Sequence, residues 1–260
     1  MKKSLSAAII LITIFSSCNT GNETVLYEEL TPSVFREKLN HAPVAYLPLG
    51  TLEYHGEHLP LGTDALHSKG FFTKMAQEFG GIVMPMIFMG PSWYTGQPID
   101  SLIAIHCTPS PKTGSCYWIP DSVYHTLLEQ QFSLLTRTGF KVVVVHGHAP
   151  SIIYVERHKQ VWEEQFDIRI VPYFIYRDNG KLGYSGHASV NETSLIINYF
   201  PHLVKMNLID ADTLIVPYGI QTKNPRGIAS AKIGKEMEEK HKAILIDTLN
   251  RILNLNKLNL

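Results

Sequence analysis

From Tyr27 onward the apolar positions change period several times. Val44 to Leu49 is an unbroken apolar run, and from Ala65 to Phe79 the apolar residues recur at helical spacing until Gly80-Gly81 closes the stretch. "IVMPMIFMG" follows as a second extended run. Pro120 opens another helical stretch that ends at Thr138, just before Gly139. "KVVVVHG" then reads as a strand covered on both faces, because β-branched residues occupy both parities. A helix from about Ile152 to Gln165, the strand "IRIVPYFIY", the segment "HASVNETSLIINYF" and a C-terminal helix from about Ala229 to Leu253 complete the alternation. Strand following helix in this way predicts an α/β fold with a mostly parallel central sheet and helices on both of its faces.

In such sheets, sites form in the crevice beyond the carboxyl ends of the strands. Titratable residues concentrate there. Glu53 and His55 follow the Val44 strand, His146 and His148 close the Lys141 strand, and His187 and Glu192 follow the Ile168 strand. The segment Leu47 to His67, "LPLGTLEYHGEHLPLGTDALH", is the densest of the three. If Leu52 to His55 is extended, Glu53 and His55 share a side and Tyr54 points away. Gly56, Pro60 and Gly62 then allow the backbone to return Asp64 towards the same point. Imidazole nitrogen and carboxylate oxygen are the donors that borderline divalent metals take, and a carboxylate can bridge two of them. Three such clusters at strand ends therefore predict a metal centre.

Composition narrows the class. The 260 residues are 45% hydrophobic, enough for a large core, and 23 basic residues balance 23 acidic ones. A surface with that balance is not built to hold a phosphate backbone, so nucleic acid is not expected as a partner. The first 18 residues, "MKKSLSAAIILITIFSSC", differ from the rest. They have a cationic start at Lys2 and Lys3, an apolar run from Ala7 to Phe15 too short to span a bilayer, and small residues before Cys18. They resemble a bacterial lipoprotein signal, with lipidation at Cys18; a plain secretory signal with an incidental cysteine is the alternative. The expected organisation is thus a signal over residues 1–18, a polar tether over 19–26 and one enzyme-sized domain over 27–260. The mature protein is expected on the periplasmic side of a membrane, held by its lipid alone. Cys107 and Cys116 bracket a Pro/Ser/Thr/Gly loop, where an oxidising compartment favours a disulfide; two unrelated thiols are the other reading.

Glu53, His55, Gly56, His58, Leu59, Pro60, Thr63 and Asp64 spell E-x-H-G-x-H-L-P-x-x-T-D, which resembles the creatininase (creatinine amidohydrolase) family. Gly147-His148 resembles that family's glycine-histidine element, and His187-Ala188 with Glu192-Thr193-Ser194 resembles its H-A-x-x-x-E-T-S element. The C-terminal helix is similar as well. The resemblance implies a three-layer α/β/α sandwich, a homo-oligomer, and hydrolysis of a cyclic amide or similar C–N bond by water activated on two divalent metals. Zinc is the expected metal, with manganese or iron as alternatives. Carried over by position, Glu53 and His148 would bind one metal, His55 the other, Asp64 would bridge them, and His187 would move protons. A further glutamate ligand two residues after the matching histidine is Pro150 here, so Glu192 is the expected replacement.

Other residues carry more ordinary expectations. His58 is expected to hold the turn through its ring nitrogens rather than bind metal. His67, at a helix start, is expected to be exposed. His146 is in phase with His148 only if the strand runs straight through Gly147. Trp93, Tyr94, Tyr117 and Trp118 are candidates for lining the substrate pocket, with core or loop anchors as the other reading, and Tyr54 beside the ligands and Tyr184 on the loop before His187 are further pocket candidates. Two functions remain: a metal-dependent amidohydrolase, or a membrane-tethered binding protein of the same fold that has lost catalysis, as the altered Ala149-Pro150-Ser151 element suggests.

Overall fold

Four consecutive valines, Val142 to Val145, have no polar side to turn to water, so their strand has to be covered on both faces. In the computed structural model, which describes residues 24–91, 114, 115, 117–175 and 186–258, that strand is β3 (Val142–Gly147). It lies in a four-stranded sheet with β1 (Val44–Leu49), β2 (Ile82–Val83) and β4 (Arg169–Pro172), in the order β2-β1-β3-β4. Every pair is parallel. Val44 pairs with Val142 and Leu49 with Gly147, so β1 and β3 finish at the same level. The loops that leave those two ends begin side by side.

Alternation along the strands sorts the core into two halves. Ala45, Leu47, Val143 and Val145 face Tyr124, Leu128 and Phe132 of α3 (Asp121–Thr138) and Val155 and Trp162 of α4 (Ala149–Phe166), after α1 (Pro32–His41) and α2 (Thr63–Phe79) in the chain. Val44, Tyr46, Val142 and Val144 face Phe71, Phe72 and Met75 of α2, Leu195 of α5 (Val190–Tyr199) and Leu245 and Leu249 of α6 (Ala231–Leu258). Two helical layers thus enclose one parallel sheet, the expected three-layer α/β/α arrangement. No helix among the described residues is long and apolar enough to cross a membrane.

The elements differ from the sequence expectation mainly at proline. The run after Gly81 keeps ladder pairing only over Ile82–Val83. Pro85 lacks the N–H that the ladder needs, and contact with β1 resumes at Ile87, whose N–H donates to the Pro48 carbonyl at 3.0 Å. The strand expected over Ile168 to Tyr176 ends at Pro172. Pro150 belongs in the first turn of α4, where its missing N–H costs nothing, so that helix starts at Ala149 rather than Ile152. At the other end, Val25 and Leu26 already join the sheet edge: the Val83 N–H donates to the Val25 carbonyl at 2.9 Å, and Leu26 bridges to Val83.

Candidate metal centre

The loop after β1 folds back on itself. The Glu53 N–H donates to the Leu61 carbonyl at 2.9 Å, and Thr63 closes the turn with its N–H and its hydroxyl on the Pro60 carbonyl, at 3.1 and 2.6 Å. Gly56 sits at φ +69°, a left-handed conformation that a side chain would strain. This doubling back sets Asp64, in the first turn of α2, beside Glu53 and His55. A carboxylate there also meets the positive end of the helix dipole.

β3 delivers His148 by a different device. Gly147 has φ +142°, and any Cβ on it would fall inside the Leu49 carbonyl oxygen, so only glycine lets the ends of β1 and β3 meet. The His148 N–H donates to that same carbonyl at 2.7 Å. Because the backbone turns at Gly147, His146 and His148 part company. His146 is buried among aromatic rings behind the site, while His148 turns into it.

The third cluster arrives at the start of α5. Ala188, a non-glycine residue at φ +53°, aims its N–H at Glu192 Oε2, 2.6 Å away, and fixes that carboxylate. His187 donates Nε2–H to the Tyr54 carbonyl at 2.7 Å, and its own carbonyl accepts from the Gln221 N–H at 2.8 Å.

Together these segments form three donor groups, each with its atoms within 4.8 Å of one another: Glu53, Asp64 and His148; His55, Asp64 and Glu192; and Glu53, His55 and His187. Asp64 is shared by the first two, one oxygen to each. Its Oδ2 lies 2.9 Å from His148 Nδ1, and its Oδ1 lies 3.5 Å from His55 Nε2. Glu53 Oε2 is 3.5 Å from His148 Nδ1, and Glu192 Oε2 is 3.6 Å from His55 Nε2.

The donor set fits divalent metal. His55 Nδ1 is 2.9 Å from the Glu53 carbonyl, which can only accept, so the ring proton of a neutral His55 sits on Nδ1. The Nε2 lone pair is then buried, without a hydrogen-bond partner, and faced by two carboxylate oxygens. Lone pair against lone pair repels unless a cation lies between. Two ligands held about 2.1 Å from a tetrahedral ion stand roughly 3.4 Å apart, close to these separations.

The electrostatics make the same demand. Burial alone would lower the His55 pKa, but Asp64, Glu192 and Glu53 outweigh it and raise it to about 10. Burial, reinforced by Asp64 and Glu53, pushes Glu192 up to about 8 against the pull of His55. Asp64 is held well below the usual carboxylate range, because His55, His148 and His67 outweigh its burial. Three carboxylates and neutral imidazoles require positive charge, supplied by protons or by metal. His187, by contrast, is lowered by burial and by His55, so its ring is neutral near pH 7.

The remaining expected residues fall around this centre or outside the described chain. His58 is in none of the three groups; its Nε2 meets Thr193 Oγ1 at 2.9 Å and ties the loop to α5, and burial lowers its pKa to about 4. The Tyr54 hydroxyl donates to Glu57 Oε1 at 2.9 Å, away from the donors. Trp93, Tyr94, Tyr184, Cys18, Cys107 and Cys116 lie outside the described residues. His67 corrects the expectation of an exposed side chain: α2 starts at Thr63, which turns His67 inward, and it is 0% exposed with Nε2 3.7 Å from Asp64 Oδ1. Ser115 was not anticipated; its Oγ accepts from the Tyr54 N–H at 2.7 Å, and its carbonyl accepts from Trp118 Nε1 at 3.0 Å. That places the Trp118 ring 5.2 Å from the ring of His148. No periodicity marks Ser115, since it lies in the unpatterned stretch between elements.

Comparison with solved structures agrees with the architecture. Creatinine amidohydrolase (creatininase) superposes with a TM-score of 0.68 at 19% identity, covering 88% of this chain and 98% of that one. The manganese form of creatininase gives 0.67 at 20% identity, over 88% and 98%. A mutant creatininase of Zn-Zn type gives 0.65 at 20%, over the same 88% and 98%. No curated protein sequence matches the chain. The family model for creatininase, described as creatinine amidohydrolase, matches residues 28–246, and the chain therefore belongs to the creatininase family.

Proposed function

We propose that this chain is a metal-dependent amidohydrolase that opens a cyclic amide or a related C–N bond. The observation that carries this reading is the sharing of Asp64 between two donor groups, with His187 at their edge. Two divalent ions, when bound, supply Lewis-acid activation of water and polarisation of the carbonyl under attack. Glu53, Asp64 and His148 would hold one ion, and His55, Asp64 and Glu192 the other. Imidazole with carboxylate suits zinc and accommodates manganese, and the Mn and Zn-Zn forms of the similar structures support either.

His187 does the proton work. Because its Nε2–H is engaged by the Tyr54 carbonyl, the Nδ1 lone pair faces the centre, 3.9 Å from Glu53 Oε2. A neutral Nδ1 takes a proton from the attacking water as its oxygen bonds to the carbonyl carbon. The same nitrogen returns that proton to the leaving nitrogen as the C–N bond breaks. A binding protein that had lost catalysis would have no need of such a group. Protein loaded with zinc or manganese should turn over at least one of creatinine, hydantoins, lactams and formamides. A panel without turnover, on protein carrying both ions, would favour the binding protein instead.

The character of residues 1–18 supports a lipid-anchored, periplasm-facing protein, and the family resemblance supports a homo-oligomer. Replacing Cys18 with Ala should abolish labelling by a fatty-acid probe in cells; labelling that persists would remove the anchor from this reading.

A further inference from the structure

We propose that His67 is a positioning residue for Asp64, setting its ring Nε2 against Oδ1 of the shared carboxylate without joining the ligand set. The inference rests on the metal-centre reading above. His67 lies one turn after Asp64 on α2, at the i,i+3 spacing that brings side chains together on a helix. Its Nε2 is 3.7 Å from Oδ1, the same oxygen that stands 3.5 Å from His55 Nε2, yet it belongs to none of the three donor groups.

The rest of Asp64 is held by other contacts. Oδ2 lies 2.9 Å from His148 Nδ1, the nitrogen that faces the first donor group, and the Asp64 carbonyl accepts from Ser68 Oγ at 2.8 Å. A carboxylate that bridges two ions uses one lone pair on each oxygen and keeps one over. In a buried site that remaining lone pair needs a donor, since leaving it bare costs the desolvation of a charged oxygen. On Oδ1, His67 is placed to be that donor.

The ring is also kept in place. It packs against His146 with centroids 5.1 Å apart, and His146 is boxed edge-on by Phe71 and Phe72 at 87° and 78°. One side of the His67 ring is therefore backed by a ring that is itself fixed. Removal of a residue that orients a metal ligand typically weakens metal binding 10- to 100-fold. The loss should fall on the ion of the His55 and Glu192 group, because Oδ1 serves that ion, more than on the ion of the Glu53 and His148 group.

The test compares His67→Gln, His67→Asn and His67→Phe in the full chain, by chelator competition on the zinc-loaded protein and by thermal melts of the metal-free form. A glutamine amide reaches about as far as Nε2, whereas an asparagine amide stops near Nδ1 and phenylalanine fills the space without a donor. H67Q should hold both ions about as tightly as the wild type. H67N should lose one ion roughly 10- to 100-fold more readily than H67Q at a metal-free melting temperature like that of H67Q, and H67F gives the same comparison if H67N fails to fold. If the donorless variants hold both ions like the wild type, or if H67Q loses as much as H67N, the assignment is overturned. A wild-type protein that holds no zinc would instead overturn the metal-centre reading, and this inference with it.

Discussion

Asp64 and His187 both sit at the centre, but their geometry gives them different tasks, and substitution should separate them. Asp64 offers one oxygen to each donor group, so Asp64→Asn removes half of that capacity and the shared negative charge together. Metal content and turnover should both collapse. His187 stands at the edge with Nε2 committed to the Tyr54 carbonyl, so His187→Asn should leave metal content near the wild-type value and slow turnover by about 10²-fold or more. Full turnover in the His187 variant would remove the proton-moving role. The sequence made much of this arrangement legible: a two-residue period put Glu53 and His55 on one side, and turn residues allowed Asp64 to come back. It did not reveal His67 or Ser115. Their neighbours are fixed by tertiary closure, His67 through the two-residue earlier start of α2 and Ser115 through a loop with no period at all.

Among the elements, the junction of β1 with β3 matters most to the site. Gly147→Ala would set a methyl group into the Leu49 carbonyl at a φ that alanine resists, and that carbonyl also receives the His148 N–H. We expect at least about 3 kcal/mol of destabilisation by denaturant titration, with metal retention impaired because His148 moves. A variant within about 0.5 kcal/mol of the wild type would show that the junction yields more easily than its geometry implies. The long helices and the buried valine strand were readable because period and length agree over many residues. α1 was not, since only Phe35 and Leu39, one turn apart, mark its inner face. The strands after Gly81 and Ile168 were overestimated because an apolar run does not disclose where proline interrupts its pairing.

At the scale of the whole molecule, the site makes stability depend on pH in a way that metal should alter. In the metal-free protein His55 rises from an ordinary 6.5 to about 10, so its stabilising proton is fully in place below about pH 6.5 and is lost as pH climbs through 10. Glu192, raised from 4.5 to about 8, acts in the same sense. His58, His67, His146 and His187 are held neutral by burial, so they cost stability below about pH 6.5 and not above it. The metal-free melting temperature should therefore peak near neutrality and fall towards pH 10, while bound zinc flattens the alkaline limb by replacing those protons. A metal-free melting temperature that rises between pH 7.5 and 10 would contradict this. The contacts that build the centre join residues far apart in the chain: 84 positions separate Asp64 from His148, 133 separate Tyr54 from His187, and 135 separate His58 from Thr193. Closure over such spans is slow, and no contact can form before its own later partner has been synthesised. A nascent chain shorter than about 190 residues can hold the Glu53, Asp64 and His148 group but lacks Glu192, so the paired centre is completed only as α5 emerges, and the second ion has to arrive late in the life of each molecule.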